Sequence, residues 1–197
     1  GHILYNGDTG ITTLDKHQLK LLRQQVGMLF QGSALFDSLT VEQNVLFQLN
    51  MFTNKTKAEK KARVNECLER VNLPNANKLF PAELSGGMKK RVGIARAIVM
   101  NPKYLFCDEP NSGLDPQTSI VIDKLIQEIT SDYKITTVIN THDMSSVMGM
   151  GDKVVFIYKG EKQWEGSNRE ILKANNQLLN DFIFASEFLK AVKPSLQ

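Results

Sequence analysis

Cysteine is scarce in this 197-residue chain: Cys67 and Cys107 are far apart, with no CxxC and no cysteine/histidine spacing of a metal site. That excludes a disulfide scaffold and a zinc framework, and it fits a reducing compartment. No apolar run approaches the ~18 residues of a membrane span, and no basic-then-apolar leader opens the sequence. An excess of one charge is also lacking, since 24 Lys+Arg against 21 Asp+Glu leave +3, which argues for no particular partner. The lysines of 55–61 and the run Lys89-Lys90-Arg91 read as solvated helix faces. No aromatic residues interleave with them, so nucleic-acid binding is not expected. What remains is an ordinary globular composition, 42% hydrophobic and 23% charged, long enough for one sizeable core and read as cytoplasmic.

Two short β-like runs, 2–6 and 26–31, flank a helical stretch over 15–25. From Thr40 the pattern turns helical. Thr40 with Gln43 and Thr56 with Glu59 read as capping boxes that open two helices, the first carrying Val45, Leu46, Leu49 and Phe52, the second Val64, Cys67, Leu68 and Val71. Ser85 is placed to cap a third helix reaching about Met100. The run 104–107 reads as a buried parallel strand ending in Asp108 and Glu109. Asp115 with Pro116 opens another helix, and a strand over 136–140 leads into Thr141-His142-Asp143. A short helix over 144–150, a hairpin of 154–158 with 162–164 turning at Lys159-Gly160, and a helical tail from Asn168 to about Lys193 complete the chain. Strand, helix, strand, helix with polar residues at the strand ends implies an α/β sheet with a site along its C-terminal edge.

At those strand ends stand Gln31, the run Leu84-Ser85-Gly86-Gly87-Met88, Asp108-Glu109, Ser112-Gly113-Leu114-Asp115 and His142. In this order and spacing they resemble the nucleotide-binding subunits of ABC transporters, from Gly1, which is similar to the end of the family's first strand entry, to at least Gly166. Gln31 matches the Q-loop, 84–88 the signature motif, 104–108 the Walker B strand, Glu109 the catalytic carboxylate, Ser112 to Asp115 the D-loop, and His142 the H-loop. The resemblance implies ATP and Mg2+ as cofactors. Asp108, with Gln31, is then a metal ligand, and Glu109, Gln31 and His142 are the catalytic residues around water and the γ-phosphate. Ser85, Gly86 and Gly87 present backbone amides to a phosphate at a helix N-terminus. The phosphate belongs to ATP held mainly by the opposite subunit of a head-to-tail dimer, and Asp115 addresses the same interface. The implied fold is the ABC-type P-loop NTPase: one partial ATPase domain over 1–197, with an all-helical signature subdomain over 40–100 and a helical tail over 168–197.

The family's phosphate loop, GxxxxGK[ST], does not occur in these residues. The expectation is therefore an N-terminally truncated piece of a longer ATPase, inactive alone and prone to self-association through uncovered strand edges. A catalytically silent module that dimerises with an intact ATPase is the competing class; the retained Asp108, Glu109 and His142 weigh against it. The segment 31–45 resembles importer-type subunits, where a groove receives a membrane permease at the inner face of the cell membrane, and Leu35, Phe36 and Leu39 are expected to be exposed there. Met88, the 34–45 run and the tail with Leu178, Leu179, Phe182, Phe184 and Phe188 resemble the Mla and Mce-type ATPases. Phospholipid is therefore the expected cargo, with amino-acid or metal-chelate import as the alternative.

Overall fold

The computed structural model describes residues 2–185, so Gly1, Phe188 and the end of the expected tail lie outside the described residues. These residues form two compact units that meet in sequence at Asn140 and Thr141.

In the first unit, β1 (Leu4–Tyr5) and β2 (Thr9–Gly10) make a small antiparallel hairpin. The strand expected over 2–6 is thus cut to two residues, because Asn6 and Gly7 take left-handed backbone angles and turn the chain. Asp15 and Gln18 form a reciprocal capping box that starts α1 (Lys16–Gln24). Next comes β3 (Val26–Leu29), which stops two residues short of the expected Gln31. Thr40 with Gln43, and Thr56 with Glu59, cap α2 (Val41–Phe52) and α3 (Lys57–Arg70) as their sequence spacing requires. Ser85 caps α4 (Gly86–Ile98), with the Met88 N–H donating to its Oγ at 3.3 Å. Then follow β4 (Tyr104–Asp108), α5 (Pro116–Asp132) and β5 (Thr136–Asn140).

The three strands form a parallel sheet in the order β3, β4, β5, with Leu29 beside Cys107 and Ile139, and Asp108 beside Asn140. One face is dry. Gly27, Leu29, Leu105 and Cys107 turn toward α4 and α5, where Ile94, Ile98, Ile122, Ile126 and Ile129 are buried with them. Burying each such side chain stabilises the fold by about 1.5–3 kcal/mol relative to exposure. On the opposite face Phe106 and Val138 remain 38% and 48% exposed. Arg63, buried on α3, locks the helical layer: its guanidinium donates to the Ile98 carbonyl at 2.8 Å and the Val99 carbonyl at 3.1 Å, a cation placed at the carbonyl end of α4.

The second unit holds α6 (Met144–Met150), capped by Asp143, and the hairpin of β6 (Lys153–Tyr158) and β7 (Glu161–Ser167). Its turn falls at Lys159-Gly160, both left-handed. The tail departs from expectation: no helix starts at Asn168. A single 3-10 turn over Ile171–Lys173 precedes α7 (Gln177–Ile183). Asn176 restarts the helix by accepting from the Leu179 N–H at 2.9 Å, while its own amide donates to the Gln163 carbonyl. Ile171, Leu179, Ile183 and Phe184 form this unit's core, with Trp164 packed against it.

Candidate active site

The C-terminal ends of β3 and β4 are adjacent because the strands are parallel, so whatever follows Leu29 and Asp108 emerges on the same edge. Gln31 emerges there exposed, and its side-chain amide reaches the Ser112 hydroxyl at 3.5 Å. Asp108 ends β4, and its carboxylate accepts from the Asn140 side-chain amide of β5 at 2.8 Å, which orients it. Glu109 follows in a left-handed conformation (φ 46°), uncommon for a residue with a side chain. The neighbouring chain holds it there: its N–H donates to the Asn140 carbonyl at 2.9 Å, and its carbonyl accepts from the Ser112 N–H at 3.2 Å. Asn111, buried, donates to the Asp123 carboxylate of α5 at 2.7 Å, anchoring the loop that carries Ser112.

A second group gathers at the start of α4. A Cβ on Gly87 would lie 2.7 Å from the Thr118 methyl, and one on Gly86 would lie 3.3 Å from Leu114. The signature glycines therefore sit against the first turn of α5, whose cap is Asp115. Asp115 accepts from the Gln117 and Thr118 amides at 3.0 Å and from the Thr118 hydroxyl at 2.5 Å. The Thr118 side chain first, then these amides, hold the Asp115 carboxyl below its usual range. Of the residues expected from sequence, Gln31, Asp108 and Glu109 share one sheet edge, and Ser85, Gly86, Gly87 and Asp115 share one helix-end surface. His142 belongs to the second unit, two residues beyond Asn140 in the chain.

Lys90 corrects the sequence reading. Expected on a solvated face, it is 4% exposed, and its ammonium donates to the Gln31 carbonyl and, at 3.0 Å, to the Glu109 carbonyl. Arg96 was also missed. Buried on the same helix, it donates to the carbonyls of Ser33 (2.5 Å) and Ala34 (2.7 Å), two successive left-handed residues of the loop after Gln31. The signal available was positional: Lys90 lies three and four residues before Gly93 and Ile94, on the stripe that packs inward. Leu35, Phe36 and Leu39 are corrected too. Only Phe36 is exposed (43%), its ring tilted at 48° against Phe47 with centroids 4.9 Å apart, whereas Leu35 packs against the core.

A magnesium ion fits this donor set in one way only. Among the described residues no three His, Cys, Asp or Glu side chains gather as a metal cage. The hard oxygens of Asp108 and Gln31 would hold it beside nucleotide phosphate and water, the sparse protein ligation that suits magnesium. Cys107, in mid-strand, takes no part; burial pushes its thiol pKa up to about 12.

The ABC transporter family profile matches residues 1–112. The chain is 42% identical over 171 residues to "Methionine import ATP-binding protein MetN 1" of Pseudomonas putida, covering 87% of this chain and 51% of that protein. It spans about half the length of the curated relatives it matches. Among solved structures it is similar to cbiO1 from Clostridium perfringens, part of the ABC transporter complex cbiONQ, at TM-score 0.81 and 29% identity over 98% of this chain and 76% of that one. It is similar too to the ATP-binding cassette MJ0796 in a dimeric post-hydrolysis state bound to ADP and Pi, at TM-score 0.75 and 28% identity over 85% and 73% of the two chains. These relatives do not support the phospholipid expectation. Met88, on which it partly rested, is a half-buried side chain packed against the core, so its identity reflects packing rather than cargo.

Proposed function

The chain belongs to the ABC transporter family, and from that premise we propose that it is the ATP-binding and ATP-hydrolysing part of an amino-acid importer, with methionine as cargo. The observation that carries the ATPase reading is the shared edge of β3 and β4, where Gln31, Asp108 and Glu109 emerge together. ATP hydrolysis needs charge neutralisation and an oriented water rather than covalent chemistry, and these residue types suit it. Glu109 accepts a proton from, or orients, the attacking water, and its fixed peptide aims the carboxylate. Asp108 and Gln31 hold magnesium, which neutralises phosphate charge when bound. His142 donates to the γ-phosphate. Ser85, Gly86 and Gly87 offer main-chain amides at the N-terminus of a thirteen-residue helix to a phosphate held by a second copy in a head-to-tail dimer, with Asp115 on the same surface.

No helix among the described residues is long and apolar enough to cross a membrane. The ABC transporter match supports a transmembrane permease as the partner through which transport takes place. Phe36, exposed on Phe47 at the start of the helical layer, offers it an aromatic contact at the inner face of the membrane. Methionine as cargo is carried by the names of the similar proteins. Uptake of labelled methionine by cells whose own methionine importers are deleted tests it: the full-length protein with its permease is expected to restore uptake, and Glu109→Gln to abolish it. Restored uptake of another amino acid with none of methionine would overturn the cargo assignment.

A further inference from the structure

Lys90 has no role in the reading above, yet its surroundings are built. Lysine is almost never fully buried unless paired, and here the partners are two main-chain carbonyls from two different strands, those of Gln31 after β3 and Glu109 after β4. The donor stands on a third element, the second turn of α4, whose first turn carries the signature glycines. An ammonium has several donors on a long stem and can serve both acceptors at once. Both acceptors lie in or just before left-handed stretches of backbone. Glu109 is itself left-handed, and Ser33 and Ala34 follow Gln31 in the same region of backbone space. The loop after Gln31 has a second tie in Arg96, but that one grips two and three residues further on. The Gln31 side chain also reaches Ser112 across the two loops, at 3.5 Å, whereas Lys90 joins the main chains of both loops and ties them to the helix. Burial lowers its pKa, and the Glu109 and Asp108 charges oppose that shift, in keeping with a cation seated at the carboxylate end of β4.

We propose that Lys90 is a positioning residue for ATP hydrolysis. Its ammonium holds the main chains of Gln31 and Glu109 at a fixed separation and ties both to the signature helix, so that movement at the signature surface reaches the hydrolytic carboxylate. This rests on the ATPase reading above.

The test compares Lys90→Met, which keeps the stem and removes every donor, with Lys90→Gln, which keeps a neutral donor one bond shorter. Two measurements are made on the full-length protein: kcat and KM for ATP, and amide hydrogen exchange without nucleotide. Lys90→Met is expected to lower kcat by about 10- to 100-fold with KM changed less than about threefold, because misplacement by an ångström is enough for such a loss. Lys90→Gln is expected to recover part of kcat. Exchange at the Glu109 and Ser112 amides, bonded to the Asn140 and Glu109 carbonyls, is expected to rise about tenfold in Lys90→Met while 94–97 in α4 stays protected. A kcat that falls only with a matching rise in KM and general loss of protection along α4 would make Lys90 a packing residue and overturn the proposal. Unchanged exchange at Glu109 and Ser112 would overturn it too. Wild-type protein without turnover would instead sink the ATPase reading, and the exchange arm would still decide whether Lys90 ties the two loops.

Discussion

Gly27 stands where β3 crosses the last turns of α4. A Cβ there would press into the Ala97 carbonyl oxygen and come within 3.1 Å of the Pro102 ring. The carbonyl is backbone and cannot rotate away, so strand and helix must separate and the buried contacts of Leu29 and Leu105 loosen with them. Gly27→Ala is expected to cost about 2–4 kcal/mol in urea unfolding, despite alanine's better propensity; a loss below about 0.5 kcal/mol would show that the layers are not in contact there. At this scale the polar groups of the β3–β4 edge were legible in sequence, because Gln31, Asp108 and Glu109 follow or end short apolar runs where side-chain chemistry is not needed for packing. Lys90 and Arg96 were not legible. A basic run looks the same whether its partners are water or loop carbonyls, and these carbonyls lie 19 residues away at Glu109 and 59 to 63 away in the loop after β3.

Elements opened by capping residues were legible: Thr40 with Gln43, Thr56 with Glu59, Ser85 and Asp115 each start a helix where they stand. The tail was not. Its apolar spacing suited one helix, but Asn176 supplies a fresh cap inside it, and a local hydrogen-bond offer outranked periodicity. The β6–β7 hairpin carries its own pH dependence. Glu165 pairs with Lys153 at 2.6 Å and Lys162 at 2.8 Å, and the two ammonium groups pull its carboxyl pKa down to about 2. A carboxylate depressed in the folded state adds stability that is complete above its ordinary value of 4.5 and lost as pH falls from there toward about 2. The Glu165→Gln protein is therefore expected to lose less of its melting temperature than wild type between pH 5 and pH 2. The site is solvent-facing, so the difference should shrink in 1 M salt, where charges are screened within about 3 Å. Equal losses in both proteins would mean that the pairs do not act in solution.

At the scale of the molecule, helical segments between short apolar strands imply parallel pairing, and this much was legible; the order β3, β4, β5 was not. Nor was it legible that the helix capped by Ser85 also fastens the loops after β3 and β4. The same α4 buries Ile94 and Ile98 against the sheet, presents the signature glycines at its first turn, and fastens the loops after β3 and β4 through Arg96 and Lys90. Cargo was illegible for a simpler reason: Met88, one of the residues that pointed to phospholipid, packs against the core, and a packing position carries no signal of cargo. The central claim is that the β3–β4 edge hydrolyses ATP with Glu109 acting on the water. Steady-state ATP turnover by the full-length protein, wild type beside Glu109→Gln, tests it most directly. The expected result is wild-type turnover that falls by about 100-fold or more in the variant while ATP binding is kept, since the variant loses the base and leaves the phosphate contacts intact. Equal turnover in the two proteins, or none in the wild type with its permease present, would contradict it.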